Sequence, residues 1–361
     1  MDNEYNLPIY AKAERKKAEL ISCGILYVPS EIHLPVLVSR STAGPGAGSH
    51  AVAFEFEGLR IKLPISRKRI ENGFALVEKD GIFSISRIEN GKISSKPFIE
   101  KIEFIQTLMH APRQAFVNIH ASCIYRCTFC TTPRLTSSQG TERTKGYSLD
   151  QWVDAIVNAS GKKDFESFSV TSGIYRSVDK TVEDIAYVVK HARDRLLERN
   201  IDTPIGVEPY VEKEEQIKVL KEAGATELKL NLHSYDKEYF KLLCPDWDYE
   251  NVKKMLSFGV KIFGKGKVCS NIIFGLGESD EIVLSGVEYL ASEGIIATLR
   301  AVRVNEGNRQ ALENAFGKIE KVDAERMIRL AEKADKIMQD YGLCRHRFNT
   351  MCLRCKCCDI L

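Results

Sequence analysis

Charge of one sign is nearly absent from this chain: 52 Lys and Arg stand against 49 Asp and Glu, a formal net charge of +3, with the basic residues spread along the sequence. That balance gives no electrostatic case for nucleic acid. Long hydrophobic runs are also missing, so no membrane partner is expected. The opening MDNEYNLPIYAKAERKKAEL carries acidic residues and no sustained apolar core, so neither a signal nor a transit peptide is expected and the cytoplasm is the expected location. No Gly-x-Gly-x-x-Gly follows the first strand of the main repeat, which weakens a dinucleotide fold. The glycine-rich STAGPGAGS lacks the Gly-Lys-Ser/Thr ending of a phosphate loop and reads as a loop.

What is present is a chain of 361 residues, 44% hydrophobic, able to bury a large core. The stretch through Ile21 reads as a helix. From Ala51, strand-like runs with the turn signals KDG and ENG predict a small antiparallel sheet. From about Ala115 the rhythm becomes strand, loop, helix, and QAFVNIHA, SFSVTSG, TPIGVEP, ELKLNLHS, VCSNIIFGLG and ATLRAVRVN count out six units. The expected class is α/β, a full or partial (β/α) TIM-type barrel over 111–335, with an N-terminal α+β appendage over 1–110 and a Cys-rich tail over 336–361. In a barrel, the residues just after each strand face the active site.

Cysteine is plentiful, with 11 in all. In a long chain without an export signal, that points to thiolates on metal or kept reduced. Cys123, Cys127 and Cys130 follow the first barrel strand on one loop. Soft thiolates select iron-sulfur clusters or zinc, and three ligands on a four-iron cube leave one iron open. A zinc site would draw on His120 as the local fourth ligand. Five more cysteines, Cys344, Cys352, Cys355, Cys357 and Cys358, crowd fifteen positions near the end. Four of them, expected to be Cys344, Cys352, Cys355 and one of the last pair (Cys358), would hold an additional iron or zinc, or an auxiliary cluster.

The spacing Cys-x3-Cys-x2-Cys, with Phe129 just before the last cysteine, resembles the signature of the radical S-adenosylmethionine (SAM) superfamily. The resemblance implies a [4Fe-4S] cluster on the three cysteines, SAM chelated at the open iron, reductive cleavage to a 5'-deoxyadenosyl radical, and an electron donor such as ferredoxin or flavodoxin. It places Phe129 near the adenine and Thr171, Ser172 and Gly173 near the SAM amino group, although the usual acidic residue is missing there. Glu208, at the end of VEPY's strand, would bind the amino or ribose groups. ELKLNLHSYD and KVCSNIIFGLGES resemble biotin synthase and its relatives, which implies that Asn231, Gly275, Gly277 and Glu278 line the SAM site. Cys269 matches an auxiliary-cluster ligand of biotin synthase, but its partner cysteines are missing, so sulfur insertion is not expected and Cys269 reads as a packed thiol. Arg300 and Arg303 fall on opposite faces of a regular strand, so one of them is expected to point inward and grip a carboxylate.

For the reaction, the small sheet before the barrel and the cysteines after it resemble the archaeal radical SAM methyltransferases that modify methyl-coenzyme M reductase, the glutamine C-methyltransferase among them. That implies a protein or peptide substrate and cobalamin as methyl carrier, although the chain lacks the Asp-x-His-x-x-Gly motif of a standard cobalamin domain. A mutase or cofactor-assembly lyase of the biotin-synthase-like group is the alternative. A non-enzymatic zinc-binding adaptor is a third reading, opposed by the Cys123 run.

Overall fold

A computed structural model describes residues 9–40, 49–132, 146–358 and 360; nearly all of the glycine-rich run, at 41–48, lies outside them. The chain opens with α1 (Ile9–Cys23), built from strong helix formers and stopped at Gly24, whose φ of +76° suits glycine.

Eight strands follow: β1 (Leu26–Tyr27), β2 (Ser39–Arg40), β3 (His50–Phe56), β4 (Leu59–Ser66), β5 (Gly73–Lys79), β6 (Ile82–Glu89), β7 (Lys92–Ile99) and β8 (Glu103–Ile105). They form one sheet in the order β2-β3-β4-β1-β5-β6-β7, with β8 on β3. The hairpins turn at Glu57-Gly58, Asp80-Gly81 and Asn90-Gly91, each with both φ values positive, as a twisted two-residue turn requires. The sheet differs from a purely antiparallel one at its middle, where β1 runs parallel to both β4 and β5. Leu26, Phe54, Ile61, Leu63, Leu76 and Ile85 form its core under α1.

The second sheet is all parallel and in sequence order: β9 (Gln114–Asn118), β10 (Ser167–Thr171), β11 (Ile205–Glu208), β12 (Glu227–Lys229), β13 (Val268–Phe274) and β14 (Ile296–Ala301). Between them run α2 (Leu149–Ala159), α3 (Val178–Leu197), α4 (Glu214–Glu222), α5 (Lys237–Leu243), α6 (Tyr249–Phe263) and α7 (Asp280–Ser292). Six strands without closure make a partial barrel. Most of these helices begin at a side-chain cap, Ser148, Ser177, Asp236, Asp248 and Ser279 among them. The register puts Val117, Val170, Val207, Leu228 and Ile272 on the helix-packed face. The opposite, concave face carries Asn118, Thr171, Glu208, Lys229, Asn271 and Thr298.

α8 (Arg309–Phe316), α9 (Ala324–Asp340), a short 3-10 helix (Arg345–Arg347) and α10 (Met351–Cys355) complete the chain. The α10 segment closes the floor of the barrel. Gln114, fully buried at the start of β9, donates to Met351 O at 2.7 Å and accepts from Met351 N at 2.8 Å. Glu227, buried at the start of β12, accepts from Asn349 N, Thr350 Oγ1 and Lys267 Nζ at 2.8–2.9 Å. A Cβ on Gly206 would lie 2.5 Å from Thr350 Oγ1, so glycine makes room for the plug. Among the described residues no helix is long and apolar enough to cross a membrane.

Candidate active site

The three cysteines after β9 sit on a loop stitched to the end of β10. Ile119 N donates to Thr171 O (3.0 Å), Gly173 N to His120 O (2.9 Å) and Ile124 N to Ile174 O (3.0 Å). Ile174 N also donates to Cys123 Sγ at 3.3 Å. Gly173 is required by this seam, because a Cβ there would lie 2.2 Å from Ser122 O. Thr171 and Ser172 spend their hydroxyls on Glu208 O and Gly173 O. The Thr171-Ser172-Gly173 segment therefore backs the cysteine loop directly. His120 is occupied elsewhere: its Nε2 pairs with buried Asp184 at 2.9 Å and its ring stacks on Tyr175.

From the other side, the end of α5 clasps the loop. Thr128 N donates to Leu243 O at 2.9 Å, and Asp246 Oδ2 accepts from Arg126 N at 2.8 Å. Cys244, in the same segment, is fully buried, with Cys127 as an electrostatic neighbour. Burial pushes the thiols of Cys123, Cys130 and Cys244 above the ordinary cysteine range; the Ile174 N–H works against that at Cys123. Phe129 packs against His233, their ring centroids 4.6 Å apart, and Trp247 closes the group against His233 and Tyr210. His233 holds a φ of +63°, and within the described residues neither its Nδ1 nor Trp247 Nε1 has a hydrogen-bond partner. Burial, then the charge of Lys229, lowers the His233 pKa to about 3, so its imidazole is neutral.

Below the loop the concave face is polar. Glu208 Oε1 accepts from Asn231 Nδ2 at 2.8 Å and pairs with Lys229 Nζ at 3.1 Å. Asn271 Oδ1 accepts from Thr298 Oγ1 at 2.5 Å and from Arg300 Nε at 3.3 Å. Burial works against the charge of Lys229, but Cys352 and Glu208 beside it hold its pKa above the usual lysine value. Lys229 and His233 escaped the sequence reading, yet the signal was there: ELKLNLH alternates polar and apolar, which in a barrel strand aims Glu227, Lys229, Asn231 and His233 along one face.

Glu278 stands apart from that face. Its carboxylate accepts from Gly275 N and Leu276 N, both at 2.7 Å, and pairs with Arg326 at 2.8 Å. Gly275 is needed for packing, since a Cβ would lie 2.2 Å from Val322 Cγ2; Gly277, also at positive φ, has open space around it. Strand alternation does not fix where Arg303 stands relative to Arg300. β14 ends at Ala301, and both arginines lie within electrostatic reach of Cys358.

The tail thiols are only partly gathered. Cys352 lies 3.9 Å from Lys229 Nζ, Cys355 and Cys357 share one buried cluster, and Cys358 has Cys352 and Cys355 as electrostatic neighbours. Cys344 is exposed at the start of the 3-10 helix. The Cys357 contact, then burial, pushes the Cys355 thiol well up, and burial does the same at Cys358. Cys269 is fully buried on the concave face, in line with a packed thiol. Among the described residues no three His, Cys, Asp or Glu side chains are gathered closely enough to hold a single metal ion. Ligands to three corners of a four-iron cube stand further apart than ligands to one ion. Three soft thiols on one loop, held from both sides by backbone and half open to solvent, suit such a cube.

Residues 117–290 match the Radical SAM superfamily. Comparison with curated proteins gives no match. Among solved structures, HydG, a maturase of the [FeFe]-hydrogenase, is 18% identical with a TM-score of 0.51, over 63% of this chain and 50% of that one. HydG from Carboxydothermus hydrogenoformans is 16% identical with a TM-score of 0.48, over 63% and 52%. Methylornithine synthase (PylB) is 16% identical with a TM-score of 0.45, over 64% and 69%. The chain thus spans about half the length of the HydG structures, and the likeness at these identities is one of fold.

Proposed function

We propose that this chain, which belongs to the radical SAM superfamily through residues 117–290, C-methylates a protein side chain, with Cys123, Cys127 and Cys130 as the cluster ligands. When bound, a four-iron cluster with one open corner supplies the electron that opens the sulfonium bond of SAM. The observation that carries the protein-substrate reading is the state of the lumen. Glu208 bonds both Lys229 and Asn231 there, Asn271 accepts from Thr298 and Arg300, and the tail plugs the floor from below with Cys352 reaching Lys229. A small molecule seated deep in the lumen would have to break these polar contacts, at the desolvation cost of each broken bond. A side chain presented from outside meets only the mouth, where Ile124 of the cysteine loop is 53% exposed.

At that mouth, Phe129 packs its ring on His233, and among the described residues the buried His233 Nδ1 and Trp247 Nε1 have no hydrogen-bond partner. The neutral His233 adds no charge beside the cluster ligands. Cobalamin is implied as methyl carrier by the resemblance alone, since the sequence lacks the Asp-x-His-x-x-Gly motif of a standard cobalamin domain, and no step is derived through it.

The test is anaerobic reconstitution with iron and sulfide, followed by SAM, reductant and glutamine-containing peptides of methyl-coenzyme M reductase, with and without cobalamin. The expected products are 5'-deoxyadenosine, S-adenosylhomocysteine and a peptide heavier by one methyl group. Turnover of SAM with every peptide unchanged, and a small-molecule product in its place, would overturn the reading.

A further inference from the structure

Asn308, beyond the end of β14, holds the cysteine loop from a third side. It is 1% exposed and stands at the N-terminal end of α8. An asparagine in that place ordinarily turns its side-chain oxygen onto the first free N–H groups of the helix, but Asn308 makes no such bond. Its Oδ1 instead accepts from Asn305 N at 2.8 Å, and its Nδ2 donates to two carbonyls, Phe129 O at 2.8 Å and Arg303 O at 2.9 Å. The amide thus spends its oxygen and both N–H groups away from the helix it begins. The bond to Phe129 falls on the peptide that joins Phe129 to Cys130. That peptide is planar, and its other edge is held too, because Cys130 N donates to Cys127 O at 3.1 Å. Just before it, Thr128 N donates to Leu243 O at the end of α5, and α5 meets α8 through the stacked rings of Tyr239 and Phe316, 5.6 Å apart. Just after it, Gly307 lies against Thr131, where a Cβ would stand 2.9 Å from Thr131 Cγ2.

We propose that Asn308 is a positioning residue for SAM: by fixing the peptide between Phe129 and Cys130, it holds the Phe129 ring where SAM meets it. The inference rests on the assignment of the cluster to Cys123, Cys127 and Cys130 and of Phe129 to the SAM site. With the carbonyl released, the Phe129 backbone can turn and carry its ring off His233, which weakens SAM binding and still leaves three thiols on the loop for iron. A role confined to starting α8 predicts something else, since serine and aspartate cap a helix about as well as asparagine does.

The experiment compares full-length, anaerobically reconstituted wild type with Asn308→Ser, a capping residue too short to span both carbonyls, and Asn308→Asp, which keeps the shape and loses the donor. Iron and sulfide are counted, thermal unfolding is recorded, and SAM is titrated against the electron paramagnetic resonance spectrum of the reduced cluster. The expected result is Asn308→Ser with near wild-type iron that binds SAM about fivefold more weakly, the worth of roughly one net hydrogen bond. Its loss in turnover should fall on KM for SAM more than on kcat, and Asn308→Asp, with a carboxylate facing two carbonyls, should bind SAM more weakly still. SAM bound as tightly as in wild type by both variants would overturn the proposal, whatever their melting temperatures. So would failure of both to fold or to take up iron, which would make the role of Asn308 one of assembly. A wild-type four-iron spectrum that SAM leaves unchanged would overturn the cluster assignment itself, and the proposal with it.

Discussion

The two cysteine-rich segments of this chain use one side chain in opposite surroundings. At the barrel mouth, Cys123, Cys127 and Cys130 sit on a loop pinned through backbone hydrogen bonds to β10 and α5, with Cys127 buried and the other two half-buried. In the tail, Cys352 and Cys358 lie among cations, Lys229 near the first and Arg300 and Arg303 near the second, while Lys62 adjoins Cys355, Cys357 and Cys358. A group that must receive a second molecule needs rigidity and access; a group that closes a barrel floor needs burial and neutralised charge. The contrast assigns turnover to the mouth and cohesion to the tail.

The largest effect expected from this contrast is at Cys127. Cys127→Ala should drop SAM cleavage to background, read as 5'-deoxyadenosine formed, with little change in thermal stability. A variant that still cleaves would break the assignment. Next comes Glu227→Ala, which strands Lys267, the Asn349 N–H and the Thr350 hydroxyl without their acceptor. It should cost roughly 3 kcal/mol in denaturant unfolding and expose the tail to proteolysis, while leaving iron on the mouth loop.

Gly173→Ala should sharpen the same contrast with a smaller loss, about 1–3 kcal/mol from overpacking against Ser122 O. Its larger signature would be lower iron content after reconstitution, because the seam behind the cysteine loop is forced apart. The last effect is one of pH, small over any one pH unit. His233 is neutral in the fold down to about pH 3, whereas the unfolded chain protonates it below about 6.5. The unfolded state therefore binds the extra proton between those limits, and stability falls as pH falls through that window. His233→Gln should flatten the slope by at most about 1.4 kcal/mol per pH unit relative to wild type; an unchanged slope would mean that the imidazole is already charged in the fold.

Local rules carried much of the fold. The strand-and-helix rhythm from Ala115 corresponds to β9 through β14, and the KDG and ENG signals fall at the hairpin turns. These features depend on neighbours a few residues apart. The site was less legible wherever distant segments meet. That Gly173 serves the cysteine loop, and that the end of α5 clasps that loop through Leu243 and Asp246, both depend on packing between strands and helices that no spacing encodes. The arginines illustrate the limit from another side. Their separation of three positions predicts opposite faces only if the strand persists, and β14 ends between them.

The way the floor is closed sets a timetable for biosynthesis. Gln114 and Glu227 take their partners from residues 237 and 123 positions further along, so a nascent barrel leaves the ribosome with an amide and a carboxylate still waiting beneath its sheet. Bringing together such remote stretches is slow because loop closure must come first. Maturation of the mouth can thus precede sealing of the base, which waits until α10 reaches the starts of β9 and β12.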